Sequence, residues 1–217
     1  MFRICSAFLL SICAAAALAE IAGPVAVIDG DTLDVGGTRV RLYGIDAVEL
    51  SQSCTTEQGV VWACGLWVRD VLRARYQGAA VVCERIDTDR YGRAVARCVH
   101  DGQDIGAALV ADGLAEAYRR YSMDYDLIEK QAYVAGRGLW SGQVQSPESY
   151  RAARVAASPP PADPECAIKG NISAGGRIYH MPQDRDYART RIDTGAGERW
   201  FCSEAAARAA GWRRARG

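Results

Sequence analysis

The stretch Val27-Ile28-Asp29-Gly30-Asp31-Thr32-Leu33-Asp34-Val35-Gly36-Gly37-Thr38-Arg39-Val40-Arg41-Leu42-Tyr43-Gly44-Ile45-Asp46 decides how the rest of the chain is read. Thr32 to Val35 and Thr38 to Tyr43 flank Gly36-Gly37, a two-residue hairpin signal. In that register Asp31 faces Leu42, beside Arg41, and Asp29 faces Gly44. The hairpin base therefore gathers Asp29, Asp31, Arg41 and Asp46 at one end, and a slip of one or two residues does not undo the gathering. Asp29 and Asp31 share one strand face because side chains alternate. Glu49 follows shortly after Asp46.

Outward from this hairpin, Pro24 to Ile28 is apolar and β-branched and reads as a preceding strand. Cys64 to Tyr76 has helical spacing, with Trp67, Val68, Val71 and Leu72 on one face. A second hairpin runs from Ala80 to Ile86, turns through Asp89-Arg90-Tyr91-Gly92, and returns from Ala94 to His100. Its register sets Cys83 opposite Cys98, a separation that suits a disulfide. Asp104 caps a helix over Ile105 to Asp112, ending at Gly113, and another helix covers Asp124 to Ala135, ending at Gly136. Strands first and helices interleaved and last predict an α+β fold, a small antiparallel barrel with helices packed on it.

Composition bounds the function. The 217 residues are 49% hydrophobic and 24% charged, which excludes a disordered or collagen-like chain. Lys and Arg number 26, as do Asp and Glu, so a protein held on DNA by net charge alone is disfavoured. Nearly all the positive charge is Arg, with Lys130 and Lys169 the exceptions. Arg3, the apolar run Phe8 to Ala17 and Ala17-Leu18-Ala19 form an export signal over residues 1–19, cleaved before Glu20. The run is short for a membrane anchor, which needs ~20 residues. Beyond the signal remain Cys54, Cys64, Cys83, Cys98, Cys166 and Cys202, an even set that reads as disulfides in an exported protein. With no Cys-x-x-Cys pair and only two His, zinc is disfavoured. Proximity in sequence pairs Cys54 with Cys64.

Residues 156–165, rich in proline, read as a linker between a body, residues 20–155, and a small C-terminal α/β module, residues 166–217. Residues 20–157 carry 15 Lys and Arg against 19 Asp and Glu, whereas residues 158–217 carry 10 against 7. In the module, Ile168 to Ile172 and Arg177 to His180 are candidate strands, and Ser203 caps an Ala-rich helix ended by Gly211. So short a module buries little core, and Cys166–Cys202 is the staple it needs.

The acidic group Asp29, Asp31, Asp46 and Glu49 carries the chemistry. Clustered carboxylates repel unless something positive sits among them, and a hard divalent cation with oxygen ligands and retained waters satisfies that need. Arg41 lies between them and Arg93 follows the second turn. Arginine forks match phosphate oxygens and stay charged, so a cation, a spare carboxylate and two guanidinia suit a phosphodiester. Asp29-Gly30-Asp31 taken alone is better explained by a solvated turn with surface salt bridges, since such triplets are common in turns.

Three blocks in order, residues 27–33, residues 40–49 and Asp89-Arg90-Tyr91-Gly92-Arg93, resemble the staphylococcal nuclease (thermonuclease) family, as does Gly138-Leu139-Trp140 as its closing segment. The resemblance covers most of residues 22–142. It implies a five-stranded OB-fold barrel and a calcium-dependent endonuclease acting on DNA and RNA, single-stranded by preference, leaving 3′-phosphate ends. Carried over, Asp31 and Asp46 hold Ca2+ with Asp29 close by, Glu49 orients or deprotonates water, and Arg41 and Arg93 bind the phosphate. Two positions depart from the family: Val48 stands where proline is usual, and Ala47 where the staphylococcal enzyme has threonine. Tyr91, Tyr118 and Tyr121 are candidates for stacking bases or lining the phosphate groove, or else surface or core tyrosines. Arg119 and Arg120 either steer nucleic acid or are solvated; His100 reads as a turn residue. The expected partners are nucleic acid as substrate and an envelope or polyanion contact through the C-terminal module, with no membrane span in the mature chain, which is expected to be a monomer. Its expected location is periplasmic or secreted. The competing reading is a non-catalytic OB-fold module that binds nucleic acid or another polyanion.

Overall fold

In the computed structural model, which describes residues 20–173 and 176–215, Gly36 and Gly37 take φ of 56° and 86°. Two positive φ values in succession match the type I′ turn, whose twist suits a hairpin and which glycine adopts without strain. The turn joins β2 (Thr32–Val35) to β3 (Thr38–Leu42), with Thr32 opposite Arg41 and Val35 opposite Thr38, the register read from the sequence. Strand β1 (Ile21–Val27) starts and ends ahead of the expected Pro24 to Ile28 and pairs with β2. The second hairpin is β4 (Ala80–Thr88) and β5 (Ala94–His100), with Cys83 opposite Cys98 and bonded to it. Its register shifts between Arg85 and Asp87, a bulge that the sequence reading did not contain.

Five strands close into a barrel in the order β3-β2-β1-β4-β5, and β5 returns to β3. That closing pair is parallel, with Val40 beside Ala94 and Leu42 beside Ala96. The expected all-antiparallel barrel is thus corrected to a mixed one. The cause is topological: the other four pairs are antiparallel, and a ring of five strands then closes only through one parallel pair. Alternating residues fill the interior, among them Val25, Val27, Leu33, Val40, Leu42, Val81, Ala96 and Cys98.

Helix α1 (Cys64–Tyr76) has the predicted bounds. Its buried face is Cys64, Gly65, Val68, Leu72 and Tyr76; Trp67 lies off that face, more than a third exposed, edge-on to Trp62. Helix α2 (Ile105–Ala111) is capped by the Asp104 side chain, which accepts from the Ala107 N–H. Helix α3 (Asp126–Val134) begins two residues later than the sequence suggests. His100 closes β5 and does not lie in the turn, its Nδ1 3.0 Å from the Ala80 carbonyl oxygen. The fold is an OB-type α+β barrel.

Contacts divide the chain between Gln143 and Val144. The second unit opens with α4 (Pro147–Ala156), capped by Ser146. The proline stretch that follows is held locally: Ser158 Oγ accepts from the Ile192 N–H and the Pro159 carbonyl from Trp200 Nε1. The unit's sheet contains β6 (Ile168–Ser173), β7 (Gly176–His180), β8 (Arg199–Phe201) and β9 (Arg213–Arg214), in the order β8-β6-β7-β9. Helix α5 (Glu204–Ala209), capped by Ser203, contributes Ala207 to a core with Ile168, Tyr179, Phe201 and Trp212. Cys166 is bonded to Cys202. Lys169 is buried and donates to the Tyr187 and Thr190 carbonyls, pinning that irregular segment to the sheet. No helix among the described residues is long and apolar enough to cross a membrane. The expected export signal, with Cys5 and Cys13, lies outside the described residues.

Candidate active site

The base of the first hairpin brings the acidic residues to one end of the barrel. Asp31 sits just ahead of β2, and its main-chain carbonyl accepts from the Leu42 N–H at 2.8 Å. Asp46 is held by a two-residue ladder, Ile45–Asp46 against Glu116–Ala117. Gly30 fits because no side chain can: a Cβ there would stand 2.6 Å from the Ala47 Cβ and 3.0 Å from Val68. The small Ala47 thus packs against the glycine of the acidic turn.

Arg41 Nη2 bridges Asp31 Oδ2 at 2.8 Å and Asp46 Oδ1 at 3.0 Å. Both carboxylates are buried, 8% and 3% exposed as whole residues, so this bridge is far less screened than a surface pair. The Thr32 hydroxyl donates to Asp31 Oδ1 at 2.8 Å, and Arg93 Nη1 donates to the same hydroxyl at 3.5 Å. Asp29 turns back onto the loop, where its Oδ1 accepts from the Asp31 N–H at 3.1 Å. Arg93 is oriented by Asp89, which accepts from its Nε at 2.6 Å and from its main-chain N–H at 2.9 Å. A continuous polar chain therefore runs Arg93, Thr32, Asp31, Arg41, Asp46.

Burial raises the Asp31 carboxyl; Arg41 opposes that, while Asp29 and Asp46 add to it, and the net result is a pKa pushed up to about 6. Two buried carboxylates sharing a guanidinium, with the Asp29 carboxylate close by, form a set of hard oxygen donors that a hard cation fits. The carboxylates of Asp29, Asp31 and Asp46 do not close to within 4.8 Å of one another as a set of three; among the described residues only Asp163, Cys166 and Cys202 do, and there the two sulfurs are bonded together. The fit is accordingly that of a cation held by two buried carboxylates that keeps waters or substrate oxygens. Asp89 behaves oppositely: burial pushes it up, but its bonds from Arg93 and Tyr91 outweigh that and hold it below the usual carboxylate range.

Glu49 lies in the loop after Asp46, half-buried. Its main chain is bracketed by Gln52, whose N–H donates to the Glu49 carbonyl at 2.8 Å and whose Oε1 accepts from the Glu49 N–H at 3.2 Å. Sequence reasoning missed Gln52, Thr32 and Asp89 as parts of the site. Asp89 and Thr32 stood inside the quoted motifs, whereas Gln52 carries no signal except its place three residues after Glu49. Of the tyrosines, Tyr91 is exposed, with the Arg90 and Arg93 guanidinia 4.9 and 5.6 Å from its ring centroid. Tyr118 and Tyr121 have ring centroids 5.0 Å apart, and the Tyr118 N–H donates to the Gly44 carbonyl, which ties them to the end of the first hairpin. Arg119 is engaged by Asp126 and by the buried Glu129.

The family model described as Staphylococcal nuclease homologue matches residues 39–142. The succinoglycan biosynthesis protein ExoI of Rhizobium meliloti is 36% identical over 151 residues, 65% of this chain and 74% of that protein. The chain belongs to the staphylococcal nuclease homologue family. An uncharacterized endonuclease of Haemophilus influenzae is 32% identical over 124 residues, 54% of this chain and 64% of its own length. A second family model, ArfC, matches residues 143–214, beginning where the nuclease-family barrel ends. Arg41, Asp46, Glu49 and Arg93 lie inside the stretch matched to the nuclease family; Asp29 and Asp31 precede it.

Proposed function

We propose that the protein is an exported, calcium-dependent endonuclease that hydrolyses phosphodiester bonds of DNA and RNA, single strands by preference, and leaves 3′-phosphate ends. The observation that carries the reading is the chain from Arg93 through Thr32 and Asp31 to Arg41 and Asp46, two guanidinia beside two buried carboxylates. In this reading Asp31 and Asp46 hold Ca2+, with Asp29 supporting their loop. The bound cation supplies Lewis-acid stabilisation of charge on the phosphate oxygens.

Glu49 accepts a proton from water as the water oxygen forms its bond to phosphorus. Arg41 and Arg93 donate to the phosphate oxygens, where charge grows in the transition state. The bond to the 5′ oxygen breaks, that oxygen takes a proton, and the phosphate stays on the 3′ side. Arg41 has a double allegiance, since the carboxylates that now hold its guanidinium are those assigned to the cation. Compensating those carboxylates frees it for the phosphate. Tyr91, Tyr118 and Tyr121 are assigned to stacking or lining of the substrate path. Three disulfides support an oxidising, extracytoplasmic location, with residues 1–19 as the export signal, 156–165 as linker and 166–217 as an envelope or polyanion contact.

Digestion of single-stranded DNA with calcium, then with EGTA, tests the proposal. Cleavage that stops with EGTA and yields 3′-phosphate termini is expected. Tight binding without cleavage at any calcium concentration overturns it in favour of a non-catalytic binding module.

A further inference from the structure

Glu49 lies within the irregular loop, residues 47–53, that joins Asp46 to Cys54. Val48 precedes the glutamate, a residue that does not fix φ as a proline would. Gln52 supplies a restraint from the other side. It is 1% exposed, and both its main-chain N–H and its side-chain Oε1 are spent on the Glu49 peptide groups. Its own carbonyl accepts from the Gly65 N–H at 3.2 Å, at the start of α1, next to the Cys54–Cys64 disulfide. Gly65 also lies against the Glu49 carbonyl: a Cβ there would stand 1.9 Å from that oxygen.

From this clasp we infer that Gln52 is a positioning residue for Glu49, its buried side-chain carbonyl fixing the peptide from which the Glu49 carboxylate is aimed. The inference rests on the reading of Glu49 as the group that activates water. A buried glutamine used only for packing would affect stability; one that aims a base affects turnover, because a misplacement of about 1 Å costs ~10²-fold in rate.

The test uses the full chain with calcium and single-stranded DNA, comparing Gln52→Met, Gln52→Asn, Gln52→Glu, Glu49→Gln and the double variant Glu49→Gln with Gln52→Met. Methionine keeps the length without the acceptor, asparagine keeps the amide without the reach, and glutamate keeps an acceptor oxygen in place. The methionine and asparagine variants should lower kcat by about 10- to 100-fold with KM within about twofold. The glutamate variant should recover most of that loss. In the Glu49→Gln background the methionine change should have no further effect, since groups acting through one another are not additive. Should methionine prevent folding, asparagine against glutamate gives the same comparison. Wild-type kcat in both the methionine and the asparagine variant, a loss equal across all three, or an additive double variant overturns the positioning role. A wild-type rate in Glu49→Gln instead removes the assignment of the base, and the two failures are thereby distinguished.

Discussion

Asp31 is the residue where structure and chemistry meet most directly. Its carboxyl keeps a proton in the folded state up to about pH 6, against an ordinary value of 3.8, chiefly because it is buried. The stability associated with that proton is fully present below the unfolded value and is lost as pH rises through the folded one. Asparagine has no such dependence. Without metal, the stability of Asp31→Asn relative to the unsubstituted protein should therefore shift in favour of asparagine from about pH 4 to about pH 7, then level off. Urea denaturation across that range in chelator measures it, and a flat difference would mean that the burial penalty is absent. Glu49→Gln should lower turnover by ~10²–10³-fold with an unchanged melting temperature, and Arg93→Ala should lower it as much while also costing some stability, because Asp89 loses its ion-pair partner; a rate near that of the unsubstituted protein in either removes its assigned role. Asp31, Arg41 and Asp46 were legible because a hairpin register converts sequence distance into spatial distance. Gln52 was not, because an amide that folds back across a turn leaves no period in the sequence.

At the scale of elements, the first hairpin and α1 were legible from alternation, the double glycine and helical spacing. The bulge in β4 was not, since one extra residue carries no compositional mark, and the parallel closure of β3 on β5 was not, since it joins strands distant in sequence. The Cys83–Cys98 bond ties the two strands of the second hairpin across a separation of 15 residues. Closing a loop of that length stabilises by about 3 kcal/mol. Reduction should accordingly lower the melting temperature of the barrel, and scanning calorimetry with and without dithiothreitol measures this; an unmoved transition would show the bond to be dispensable. Helix α1 touches the Glu49 loop without an intervening side chain, so Gly65→Ala forces backbone from backbone. It should destabilise by roughly 1–3 kcal/mol, as overpacking does, and lower turnover as well.

The whole molecule joins parts of opposite charge. Residues 20–143 carry 13 Lys and Arg against 18 Asp and Glu, while residues 144–217 carry 12 against 8. A polyanionic substrate is repelled by the first balance and attracted by the second. A chain ending at Gln143 should keep its kcat for single-stranded DNA within a few-fold, yet show a higher KM that depends less steeply on salt, because fewer cations release counterions. An equal KM and salt slope in the two chains would mean that the basic unit takes no part in capturing substrate. The bridge from Arg41 to Asp31 and Asp46 has a consequence for maturation. A guanidinium supplied by the chain itself already occupies the gap between the acidic side chains, so folding need not await an ion from outside. Under the proposed function, the chain can therefore complete its barrel before any calcium is bound and become competent once the ion relieves the arginine of its placeholder duty.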